Sequence, residues 1–157
     1  MPLLEVENLV VDLPVSSGTL HAVNGISFNL ERGETLAIVG ESGSGKSMTS
    51  LAVMNLLPKR ANRRANRLVF DGIDLANAPN ARVRTLRGSR LAMIFQEPMT
   101  SLNPSYTIGN QLTEALRCHR SVPIASARDR AVQLLEKVGI PGAARRLGQY
   151  PHQLSGG

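Results

Sequence analysis

The chain is poor in aromatic residues. It holds no tryptophan, two tyrosines and three phenylalanines in 157 residues, and residues 1–27 contain none of them. One cysteine, Cys118, excludes an internal disulfide and suits a reducing compartment such as the cytosol. Its expected role is that of a small buried or half-buried hydrophobe rather than a reactive thiol. No apolar run approaches the ~18 residues of a membrane-crossing helix; the longest lies near Leu51–Leu57. No basic start followed by an apolar stretch marks a secretory signal. Internal repeats and low-complexity linkers are also missing.

What is present fits a folded α/β domain. Hydrophobic residues make up 42% and charged residues 19%, both near globular averages. A chain of this length supports one core but no second domain of any size. The net charge is +6, and Lys59, Arg60, Arg63, Arg64 and Arg67 fall close together. A basic run of this kind can meet nucleic acid or acidic lipid. No aromatic is interleaved for base stacking, so a solvated loop is expected, with no nucleic-acid partner.

The most informative segment is Gly40–Ser47, Gly-Glu-Ser-Gly-Ser-Gly-Lys-Ser, which fits G-x-x-x-x-G-K-[ST]. Thr35–Val39 before it is apolar and reads as a buried strand, and Lys46 to Leu57 after it reads as a helix stopped by Pro58. The glycines free the backbone to present N–H groups to a phosphate, and the helix adds its positive end. Lys46 supplies charge for the β- and γ-phosphates, and the Ser47 hydroxyl suits Mg²⁺.

The remaining pattern alternates. Strands are expected at Leu4–Leu13, Ile26–Leu30, Leu68–Phe70 and Leu91–Phe95, with turns at Glu31–Glu34 and Asp71-Gly72. Helices are expected at Pro79–Leu86, Thr107–Arg117 and Ser126–Val138. The second carries Ile108, Leu112, Ala115 and Leu116 on one side, and the third carries Ala127, Ala131, Leu134, Leu135 and Val138. Gly139 suits a helix C-terminal cap. Gln96 follows an expected strand, where an amide can reach a metal or water beside a nucleotide. Leu154–Gly157, Leu-Ser-Gly-Gly, offers an ordinary turn or a second phosphate cradle.

Taken in order, Gly40–Ser47, Phe95-Gln96 and Leu154–Gly157 resemble the phosphate loop, Q-loop and signature of the ATP-binding cassette (ABC) ATPases. Phe95–Pro104 together with Gly40–Ser47 looks most like the oligopeptide, dipeptide and nickel uptake branch. The resemblance implies a P-loop NTPase (RecA-like) core with an antiparallel β subdomain over residues 1–95. A Q-loop and a helical subdomain then occupy residues 96–157, and the fold is incomplete at the C-terminus. It implies ATP and Mg²⁺ as cofactors, bound by Gly40, Glu41, Ser42, Gly43, Ser44, Gly45, Lys46, Ser47 and Met48. Ser47 and Gln96 would serve the metal, Gln96 would contact the lytic water, and Ser155, Gly156 and Gly157 would cap ATP on a partner subunit. The implied partners are a second ABC ATPase subunit, two membrane permease subunits and, indirectly, an extracytoplasmic solute-binding protein. The implied location is the cytoplasmic face of the plasma membrane.

Three departures from the family pattern shape the expectations. No aromatic precedes the first catalytic strand to stack on adenine, which leaves Leu13 or Val15. Met48 stands where many relatives carry a hydroxyl. The segment ends at the signature, ahead of the family's Walker B carboxylates and switch histidine, so the 157 residues alone are expected not to hydrolyse ATP. His21, His119 and His152 are expected to be surface or packing residues. If the family topology is kept, an empty slot separates the phosphate-loop strand from the Q-loop strand and exposes open edges. The alternatives are a soluble ABC ATPase acting on DNA or ribosomes, and an unrelated P-loop kinase or GTPase.

Overall fold

A computed structural model describes residues 1–96, 101–119 and 121–154. The chain forms two compact units that divide at Arg87/Gly88, so the expected strand at Leu91–Phe95 belongs to the second unit.

The first unit is built on an antiparallel sheet. Strands β1 (Leu4–Val15) and β2 (Gly18–Leu30) make a long hairpin. β2 begins well before Ile26, because its polar first half pairs with β1 although its own hydrophobic signal is weak. Short strands β3 (Asn62–Arg64) and β4 (Arg67–Phe70) both pair with β1, and β5 (Ile73–Asp74) pairs with β4. Asp71 and Gly72 both take left-handed backbone angles, the geometry of a tight two-residue hairpin turn. The β1–β2 ladder is irregular at three places. Val6, Leu9, Val11, Val23, Leu68 and Phe70 from these strands are buried, with Ala52 and Val53 from helix α1 (Lys46–Val53). Helix α2 (Asn80–Leu86) adds Val83 and Leu86 to the buried set.

Two expectations fail here. Thr35–Val39 joins no strand ladder among the described residues, and Leu36, Ile38 and Val39 are exposed, Val39 by 88%. Leu91–Phe95 likewise forms no strand beyond an isolated bridge at Leu91, and Ile94 is 94% exposed. Strand propensity is satisfied only when a ladder partner and a facing layer exist, and neither stretch has them among the described residues. Helix α1 also ends at Val53 rather than Leu57. Asn55 turns left-handed, and the Leu56 amide returns to the Leu51 carbonyl at 2.8 Å, which closes the last turn.

The second unit is helical: α3 (Ile108–Arg117), α4 (Ile124–Lys137), α5 (Ala143–Arg146) and a 3₁₀ turn at Pro151–Gln153. Thr107 caps α3 by accepting from the Asn110 amide at 3.2 Å. Gly139 follows α4 with φ +79°, its amide bonded to Glu136. The core comprises Ile108, Ala131, Leu135, Ala143 and Leu147, with Leu112, Val132, Ile140 and Leu154 against it. Gly109 lies so close to Leu147 that a Cβ there would come within 2.7 Å of its carbonyl oxygen. Of the faces expected from periodicity, Ala115 and Val138 are instead exposed, and Val132 packs inward. Cys118 is exposed rather than buried.

Candidate nucleotide site

Local sequence builds the glycine-rich loop expected to hold phosphate. The chain leaves β2 through a turn in which Gly33 has φ +76° and the Glu31 amide donates to the Glu34 carboxylate at 2.7 Å. The irregular stretch to Val39 leads to Gly40. Gly45 then serves as the N-cap of α1 with φ +90°, and no side chain caps that helix start. The first-turn amides of α1 are thus left to an anion, on the positive end of the helix.

Two glycines are required for space. A methyl group on Gly40 would lie 2.6 Å from the Ser44 hydroxyl, and one on Gly45 would collide with the Ala22 carbonyl oxygen of β2. The ammonium of Lys46 folds over the loop and donates to the carbonyls of Gly40 at 2.8 Å and Glu41 at 2.7 Å, with the Ser44 hydroxyl at 3.3 Å. Its charge therefore sits at the loop that a phosphate would occupy. Ser47 is exposed and Met48 partly so, while Thr49 is buried and bonds back to the Gly45 carbonyl at 3.0 Å.

The first unit thus brings together Gly40 to Met48. Gln96 belongs to the second unit and is exposed. Ser155, Gly156 and Gly157 lie outside the described residues, as does Glu97. No group of three or more potential metal-ligating side chains occurs among the described residues. Of the expected Mg²⁺ ligands the first unit supplies one exposed hydroxyl, Ser47; a metal held there would take its other oxygens from a bound nucleotide and from water, as Mg²⁺ sites commonly do.

Lys59 and Arg60 of the basic run lie in an exposed turn as expected, but Arg63, Arg64 and Arg67 lie in strands. Arg63 is half-buried and donates to the carbonyls of Ala52 at 2.7 Å and Leu75 at 2.8 Å, and burial lowers its pKa. It therefore caps the C-terminal end of α1 with a cation. Arg64 reaches Asp12 at 2.7 Å and Arg67 reaches Glu5 at 2.6 Å. Sequence reasoning missed these roles because the acceptors, two carbonyls and two distant carboxylates, leave no local pattern. His21 bonds Asp12 at 2.8 Å, and His152 stacks on Tyr150 with ring centres 5.8 Å apart. The bonds from His21 and then Arg64 hold the Asp12 carboxyl below its ordinary range.

The ABC transporter family model matches residues 23–157. The chain belongs to the ABC transporter family. Over 156 residues, 99% of this chain and 44% of the relative, it is 46% identical to the oligopeptide transport ATP-binding protein OppD of Bacillus subtilis. Over 157 residues, 100% of this chain and 48% of the relative, it is 48% identical to the dipeptide transport ATP-binding protein DppD of Escherichia coli. This ABC chain spans about half the length of the curated relatives it matches. Its fold is that of solved ATP-binding cassettes. One is a dimeric post-hydrolysis state bound to ADP and phosphate, with TM-score 0.80, 20% identity, and coverage of 97% of this chain and 63% of that one. A dimeric bacterial ABC transporter cassette matches with TM-score 0.80 and 21% identity, over 98% and 63%.

Proposed function

We propose that the chain is the nucleotide-binding portion of a peptide importer's ATPase subunit, binding Mg-ATP at Gly40–Ser47. The observation that carries this is the loop itself. An uncapped α1 start, a left-handed Gly45 pressed on β2, and the Lys46 ammonium folded across the loop carbonyls support a cradle for the phosphates of a nucleotide. Ser47 would hold Mg²⁺, which when bound screens the charge of the β- and γ-phosphates. Gln96 and residues 155–157 complete the reading, Gln96 toward the metal and water and Ser155 to Gly157 toward ATP on a second subunit. The relatives named above are peptide-transport ATP-binding proteins, and both solved cassettes named above are dimeric, which supports that pairing.

Attachment to the membrane would come through permease subunits, with a solute-binding protein beyond them. No helix among the described residues is long and apolar enough to cross a membrane. The second unit carries an open groove of about 640 Å³ lined by Leu102, Asn103, Tyr106, Gln111, Leu112 and Ala115 among others, a surface suited to a permease segment. The soluble, DNA-acting alternative is disfavoured: the longest helix in the second unit is α4, at 14 residues, which leaves no long coiled coil among the described residues.

Titration calorimetry with Mg-ATP tests the reading. Binding by the chain, lost in Lys46→Ala, is expected. Unchanged affinity in Lys46→Ala would remove the site assignment.

A further inference from the structure

The phosphate loop rests on an irregularity of β2. Val11 pairs with Val23, but Asp12 pairs with His21, so Ala22 is an extra residue without a partner on β1. Such a bulge bends its strand and leaves one residue outside the ladder. The Ala22 carbonyl is also the surface against which Gly45 packs, and a methyl on Gly45 would lie 3.4 Å from Val23 Cγ2 as well. The floor beneath the start of α1 is therefore this bulge.

Beside the bulge stands a clasp. His21 Nδ1 donates to Asp12 Oδ1 at 2.8 Å, and Arg64 of β3 donates to Asp12 Oδ2 at 2.7 Å. Asp12 is only 9% exposed, whereas His21 is largely solvent-facing. A buried carboxylate satisfied on both oxygens is a firm anchor, because losing a partner leaves buried charge uncompensated. The anchor spans three strands and grips the residue next to Ala22.

We propose that the Asp12–His21 pair is a positioning device: it fixes the bulge at Ala22, and through the Ala22 carbonyl it fixes the phosphate loop at Gly45. The role in binding rests on the proposed nucleotide site, whereas the mechanical coupling does not. A donor at His21 is what the clasp requires, so asparagine, whose side-chain amide can donate to Asp12, should replace it and alanine should not.

Amide hydrogen exchange on the nucleotide-free chain reads the coupling directly. In His21→Ala, the hydrogen-bonded amides of α1 from Thr49, which donates to the Gly45 carbonyl at 2.8 Å, to Val53 should exchange about fivefold faster, the scale of one hydrogen bond's net contribution. In His21→Asn they should stay near the wild-type rate. Arg67→Ala, which cuts the Glu5 pair elsewhere on β1, should leave them unchanged. Mg-ATP affinity should follow the same order, falling about fivefold in His21→Ala alone. Unaltered exchange at Thr49–Val53 in His21→Ala, equal acceleration in Arg67→Ala, or no rescue by asparagine would each overturn the proposal. If the exchange pattern holds and the wild-type chain binds no Mg-ATP, the nucleotide reading fails together with the clasp's role in binding, and the coupling stands.

Discussion

β1 and the stretch Thr35–Val39 are both rich in apolar residues, and both are expected strands. β1 is paired on both edges, and Val6, Leu9 and Val11 are fully buried. Thr35–Val39 has no ladder among the described residues, and Val39 is 88% exposed. The second unit repeats the contrast between Leu147, 2% exposed in its core, and Ile94, 94% exposed. Apolar composition makes a stretch available for burial; non-local partners decide whether burial happens. In the first unit, ion pairs and caps then tie down what the ladders have placed.

Truncations test the contrast most strongly. Leu68→Ala and Leu147→Ala should each destabilise their unit by about 2–5 kcal/mol in urea unfolding. Val39→Ala and Ile94→Ala should stay within about 0.5 kcal/mol of wild type. Equal losses in both sets would mean that the exposed stretches are packed in solution and would erase the distinction.

A smaller effect is expected where a cation replaces ladder pairing. Arg63→Ala leaves the carbonyls of Ala52 and Leu75 without their donor and should cost about 1–3 kcal/mol. An Arg63→Ala chain as stable as wild type would return the basic run to a solvated surface. At Thr107, alanine removes the cap of α3 and should cost about 1 kcal/mol, with serine restoring most of it.

The shallowest effect is acid sensitivity. Hydrogen bonds hold three carboxyls below their ordinary range: Glu5 chiefly through Arg67, Asp12 through His21 and then Arg64, and Asp74 through Asn77. A carboxyl with a lowered folded pKa stabilises fully above its unfolded value and loses that contribution as pH falls through the folded value. Urea midpoints should therefore hold steady down to pH about 4 and then decline, more gently in Asp12→Asn. A decline that begins near neutrality would point to other groups.

Legibility from sequence followed the range of the interactions. The glycine turn that opens α1, the start of α3 at Thr107, the Asp71-Gly72 turn and Gly139 were all readable, because each is fixed within a few residues. The first half of β2 was not, since its polar residues are held by pairing with β1 rather than by their own pattern. The end of α1 was set by the left-handed Asn55 and not by Pro58. Arg63 was misread because its acceptors lie eleven and twelve residues away on other elements. Val138 sits at the right helical spacing for burial but just past the end of α4, where the chain has already turned away from the core.

Arg63 and Gly45 together give α1 an unusual mechanical character. A two-turn helix of eight residues is a rod about 12 Å long, too short to be stable alone. This one is braced at both ends, seated on β2 through Gly45 and tethered through Ala52 to β3 by Arg63. A push on the Lys46 end has little slack to be absorbed in, so it is passed along the rod to the sheet edge at β3. Substitutions there, remote from any phosphate, will be felt as altered stiffness of the loop.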